Sequence, residues 1–142
     1  AAYKISPDTA IVLDIAVATD TPDLQGVGSD VKLENGPVIH RFTFHGRAIL
    51  GGLIPPFWLL NFVQQIAEEN SIPYQFATFF GGATESSFLP VLKEGIPAID
   101  IGLPCRYTHS PAEMVSIKDL ENLERLLFNL LINADRIKSY KL

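Results

Sequence analysis

Residues 9–18 read Thr-Ala-Ile-Val-Leu-Asp-Ile-Ala-Val-Ala, a nearly unbroken apolar run that stops at Thr19-Asp20-Thr21-Pro22. Branched side chains of this kind pack well on a pleated surface, and a run with no polar face fits a central strand covered on both sides. We therefore expect a buried strand here, and expect a chain that opens so near its own core to be part of a longer polypeptide. One residue disturbs the run. Asp14 puts a carboxylate inside it, and such a group is costly unless a hydrogen bond or a charge compensates it.

The rest of the chain alternates between the two regular periods. Residues 23–36 hold Gly26, Gly28, Asp30, Asn35 and Gly36 among few apolar side chains, which predicts a loop. Residues 38–44 then alternate, with Val38, His40, Phe42 and Phe44 on one side and Ile39, Arg41 and Thr43 on the other. That is the period of a half-exposed strand. Pro55-Pro56 suits the first turn of a helix, where the missing donors are not needed. Phe57, Leu60, Val63 and Ala67 continue it at helical spacing until Asn70, because Pro73 follows. A strand over 74–80, a turn at Gly81-Gly82, a helix from Thr84 to Lys93 and a buried strand over 96–101 come next. A last helix runs from a capping-box pattern at Ser116–Asp119 to about Ile137. This order predicts an α/β fold: a mixed, largely parallel sheet with helices on both faces, in one unit over residues 1–142.

Composition removes several classes of function. The 142 residues carry 16 acidic and 11 basic side chains, a net charge of −5, with no basic cluster. Nucleic-acid affinity rests on neutralised phosphates, so no nucleic-acid partner is expected. No apolar stretch approaches the roughly 18 residues of a membrane span, so no membrane partner is expected either. A single cysteine, Cys105, allows no internal disulfide and favours a reducing, cytoplasmic setting.

In an open α/β sheet, ligands gather beyond the carboxyl ends of strands. Asp20 and His109 both stand at such ends, and both residue types can hold metal ions. Taken alone, Asp20 reads as a turn residue before a proline and His109 as a loop histidine. Asp14 reads as a satisfied structural carboxylate or as an orienter of a metal ligand. His40 and His45 fall on opposite faces and form no joint site. Cys105 lies near Arg106 and His109, yet no oriented base accompanies it, which argues against a thiol nucleophile. Gly81-Gly82-Ala83-Thr84 could present helix amides to an anion, but it lacks the lysine and spacing of a P-loop.

Several segments together resemble one family. Leu13-Asp14-Ile15-Ala16-Val17-Ala18-Thr19-Asp20-Thr21-Pro22, Gly36-Pro37-Val38-Ile39, Gly81-Gly82-Ala83-Thr84-Glu85, Glu94-Gly95-Ile96-Pro97 and Pro104-Cys105-Arg106-Tyr107-Thr108-His109-Ser110 occur in the order seen in the TET-type tetrahedral metalloaminopeptidases. The resemblance implies a zinc-exopeptidase-like fold, peptide substrates, two divalent metal ions (Zn²⁺ or Co²⁺) and assembly into homo-oligomers, dodecamers built from dimers. It implies that Asp20 and His109 are metal ligands, with Asp14, Thr84, Glu85 and Arg106 as supporting or substrate-side residues. It also implies that the general-base glutamate lies upstream, outside this chain. On that reading residues 1–142 are the C-terminal part of a catalytic domain, inactive by themselves.

The sequence departs from the pattern at Gly82-Ala83-Thr84-Glu85-Ser86, where relatives have Gly-Gly-Thr-Asp-Ala, and in a longer segment over residues 47–54. Two other readings remain open. One is a glycoside hydrolase using Asp14 and Asp20 as its carboxyl pair. The other is a non-catalytic module that binds through an exposed sheet edge.

Overall fold

A computed structural model describes residues 1–46 and 51–140. A short helix α1 (Ala2–Ile5) leads into β1 (Ala10–Val17) and, after a long loop, β2 (Val38–Phe44). Then follow β3 (Gly52–Leu53), α2 (Phe57–Glu69), β4 (Gln75–Phe80) and a 3₁₀ helix over Glu85–Val91. The chain closes with β5 (Ala98–Arg106), β6 (Met114–Val115), α3 (Ile117–Ile132), a 3₁₀ turn over Ala134–Arg136 and α4 (Ile137–Tyr140). Part of the longer segment noted in the sequence, residues 47–50, lies outside the described residues.

The strands form one mixed sheet. β1 runs parallel to β5, β5 antiparallel to β2, and β2 parallel to β4; β3 and β6 add short antiparallel pairs to β2 and β5. Alternation along β5 divides its side chains between two environments. Ile99 and Ile101 enter the main core with Ile39, Leu59, Phe62, Ile66, Leu126 and Leu130, beneath α2 and α3. Ala98 faces the other way and packs with Leu53, Leu89 and Ile96, next to the 3₁₀ helix. Helical segments therefore cover both faces, as the α/β reading requires.

Four expectations change in detail. The apolar run was expected to be central, but β1 pairs only with β5 among the described residues, and Leu13 is 51% exposed. The inner strand is β5, because it lies between β1 and β2 and extends to Arg106. Apolar composition measures how well a strand tolerates cover, not where it sits in the sheet. The run over 38–44 is likewise interior at its start, with Val38, Ile39 and His40 buried. A bulge at Arg41 shifts the register between His40 and Phe42. Thr43 therefore follows His40 onto the same face, which strict alternation had put opposite.

The predicted helix from Thr84 is a 3₁₀ helix with Pro90 inside it, consistent with proline's missing donor in a helical interior. At Ser116 no side-chain cap forms. Asp119 instead accepts the main-chain N–H groups of Glu34 and Gly36 through Oδ2 and Oδ1, at 2.7 and 2.8 Å, and so ties the long loop to α3. Gly36 is needed at that crossing. Its φ is +88°, and a Cβ there would stand 2.0 Å from the Pro73 carbonyl oxygen.

Candidate active site

Asp20 and Arg106 are brought together from opposite ends of the chain by the parallel pairing of β1 and β5. The Arg106 Nε donates to Asp20 Oδ1 at 2.7 Å and its Nη2 to Oδ2 at 2.8 Å. The Leu33 N–H adds a third bond to Oδ2 at 3.0 Å. Planar two-point pairing of this kind is the strong form of a guanidinium–carboxylate contact. Only 13% of the Asp20 side chain remains exposed. The Arg106 fork, helped by the Leu33 amide, holds the Asp20 carboxyl below the usual carboxylate range against the opposing effect of burial. Arg106 and Asp20 are thus each other's counter-ion.

Beyond Arg106 the chain turns sharply. Tyr107 and His109 both have positive φ, 58° and 61°, a conformation uncommon for residues with side chains. The His109 N–H is held by Glu113 Oε1 at 2.6 Å, while its residue remains exposed. The turn therefore fixes the backbone of His109 and leaves its ring outward. Clustered left-handed residues store backbone strain, and such strain gathers at binding sites. Cys105, just before, is buried, and burial pushes its thiol up from the ordinary value, with Glu113 adding to the effect. A thiolate nucleophile is disfavoured there.

Asp14 lies on β1 opposite Gly102 of β5. Its Oδ1 accepts the Ile15 N–H at 2.8 Å, and among the described residues Oδ2 has no hydrogen-bond partner. On the neighbouring strand His40 is 4% exposed and its Nδ1 is unpaired. Burial lowers the His40 pKa from its ordinary value, more than the nearby carboxylates of Asp100 and Asp14 raise it.

Asp100 is the residue that the sequence reading passed over. It is fully buried near the start of β5. Thr84 Oγ1 and Ser86 Oγ donate to its Oδ2 at 2.8 and 2.6 Å, and Thr43 Oγ1 reaches the same oxygen at 3.4 Å. Its Oδ1 is unpaired. The signal was available: an Asp inside Ala98-Ile99-Asp100-Ile101 poses the same question as Asp14 inside its run. Thr84, expected on the substrate side, is 6% exposed and spends its hydroxyl on Asp100. Glu85 beside it points outward and is exposed.

A cavity of about 360 Å³ opens between the C-terminal half of β1, the 24–31 loop and the end of β4, with His40 in its wall. The Phe79 ring in that wall also explains Gly82, where a Cβ would come within 2.4 Å of the ring's Cζ.

The model for M42 glutamyl aminopeptidases matches residues 1–126. The chain belongs to the M42 glutamyl aminopeptidase family. "Putative aminopeptidase SgcX" of Escherichia coli K12 is 43% identical over 124 residues, which are 87% of this chain and 33% of that protein. The TET aminopeptidase of a marine sediment Thaumarchaeota archaeon superimposes with a TM-score of 0.84 at 28% identity, covering 98% of this chain and 37% of the other. The TET1 peptidase of Pyrococcus horikoshii, described as assembling into a tetrahedron or a large octahedral shell, gives 0.62 at 25% identity, over 91% of this chain and 36% of its own. The chain spans 33% to 38% of the length of curated relatives such as SgcX and FrvX. The chain has the mixed sheet of the TET aminopeptidase structures it resembles. Among the described residues, no helix is long and apolar enough to cross a membrane.

The donors fit a metal only in part. Carboxylate and imidazole suit Zn²⁺ or Co²⁺. No group of three or more His, Cys, Asp or Glu side chains among the described residues is gathered to hold an ion. An ion held by these residues would need further donors from outside them.

Proposed function

We propose that these residues are the C-terminal part of the catalytic domain of a metal-dependent aminopeptidase, a protein that removes N-terminal residues from peptides and works as a cytoplasmic homo-oligomer. The observation that carries this reading is the family match over residues 1–126 together with a strained turn that holds His109 outward at the carboxyl end of β5. The outer edge of β1, unpaired among the described residues, is where further strands of the longer domain would add.

When bound, a pair of divalent ions supplies an activated water and a polarised carbonyl. The chain's own contribution is positional. His109 offers an imidazole from a backbone fixed by Glu113. Asp20, the carboxylate singled out from the sequence, offers little as a ligand in this geometry, because a metal there would have to displace three hydrogen bonds and sit beside a guanidinium. Asp14 keeps an oxygen free and is the better donor. Asp20 then clamps Arg106, and so locks the start of the turn that carries His109. The same clamp weighs against the glycoside-hydrolase reading. A general acid needs a raised pKa, and that of Asp20 is lowered.

Metal content tests these roles in the longest natural polypeptide that carries this sequence. His109→Ala and Asp14→Ala should each lose one equivalent of bound Zn²⁺ in equilibrium dialysis, because a direct ligand is removed. Asp20→Asn should keep both equivalents and instead loosen the 107–109 turn. Loss of an equivalent in Asp20→Asn with retention in Asp14→Ala would return the ligand role to Asp20.

A further inference from the structure

The cavity beside β1 has a lining that no role described so far uses. Its walls include Val17, Leu24, Val27, Phe79 and Phe80, and among the described residues no Asp, Glu, Lys or Arg lines it. Among the described residues its ionisable wall residue is His40, which is buried. The volume lies at the lower end of the range for small-ligand pockets, about 300–1,000 Å³. Ala16 in the wall is two residues from Asp14 on the same strand and therefore on the same face, and the Asp14 carboxylate acts on His40, also in the wall.

We infer that this cavity receives the side chain of the substrate's N-terminal residue, and that it selects an uncharged, largely apolar side chain over glutamate or lysine. The inference rests on the aminopeptidase reading and narrows it. A carboxylate or an ammonium entering this cavity would exchange water for apolar walls without meeting an opposite charge, a transfer that is strongly unfavourable. A leucine, methionine or phenylalanine side chain gains from the same walls by losing contact with water. The Phe79 ring sets the depth, since it is held between the His40 ring, 6.4 Å away centroid to centroid, and Gly82.

The test compares aminoacyl-nitroanilides with Leu, Phe, Met, Glu and Lys on the longest natural polypeptide loaded with Zn²⁺ or Co²⁺. We expect kcat/KM for Leu, Phe or Met to exceed that for Glu and Lys by at least about tenfold, the lower end of the discrimination expected from apolar side-chain contacts. Val27→Asp places a carboxylate on the wall at a residue 58% exposed, where the fold tolerates it. This variant should lower release from Leu and raise release from Lys, a reversal that general loss of structure cannot produce. Phe79→Ala should shift preference towards larger side chains. A wild-type preference for Glu or Lys, or an unchanged preference profile in folded Val27→Asp, overturns the inference and leaves the aminopeptidase reading standing. Absence of release from all five substrates overturns the aminopeptidase reading, and this inference with it.

Discussion

Asp100→Ala in the natural polypeptide should cost about 3 kcal/mol of stability, because it strips the acceptor from buried hydroxyl donors that have no access to water. Thr84 and Ser86 both donate to the lost oxygen, and Thr43 borders it. The effect should be local as well as global. Amides of residues 81–87 should exchange hydrogen at least about tenfold faster, since the turn is pinned to the sheet mainly through this carboxylate. Asp100→Asn keeps an acceptor oxygen and should lose less than half as much. Denaturant unfolding and hydrogen exchange check both. Equal losses for Ala and Asn would show that volume or charge, not the hydroxyl contacts, governs the site.

Asp119→Ala should be of similar size, again about 3 kcal/mol, because two main-chain donors lose a charged acceptor. The two amides belong to Glu34 and Gly36, the latter at the crossing with Pro73. The consequence reaches the candidate site. Glu34 follows Leu33, whose N–H holds Asp20, and Asp20 holds Arg106 at the start of the His109 turn. Loss of Asp119 should therefore lower metal affinity although it touches no ligand, whereas an exposed change on the same helix, Glu124→Ala, should leave both stability and metal binding unaltered. Dialysis on the two variants decides it; unchanged affinity in Asp119→Ala would break the proposed chain of support.

What the sequence made legible follows from the range of the forces involved. Local periodicity located β4, α2 and the start of α3 within a residue or two, because burying one face of a helix or strand leaves its spacing in the chain; the end expected near Ile137 lies beyond α3, which stops at Ile132 before a 3₁₀ turn and α4. The motif at Arg106–Ser110 and the Asp-x-Pro segment marked the two strand ends that face each other in the fold. Position within the sheet was legible only in part: β1 has the composition of a central strand, yet among the described residues it pairs with β5 alone, since strand order depends on partners far along the chain. Long-range polar pairing escaped for the same reason. Nothing near Asp20 announces Arg106, 86 residues away, and the pattern at Ser116–Asp119 looked like a local cap while Asp119 reaches across 83 and 85 residues. Asp100 could have been flagged, because an acid inside an apolar strand must find partners wherever they come from.

The central claim is that this chain completes a metal-dependent aminopeptidase. Its most direct test is release of N-terminal residues from a panel of aminoacyl-nitroanilides by the longest natural polypeptide that carries this sequence, measured before and after a chelator and again after Zn²⁺ or Co²⁺ is returned. We expect release that chelation abolishes and metal restores. Release that survives complete metal removal, or none from any substrate by metal-loaded protein, would contradict it.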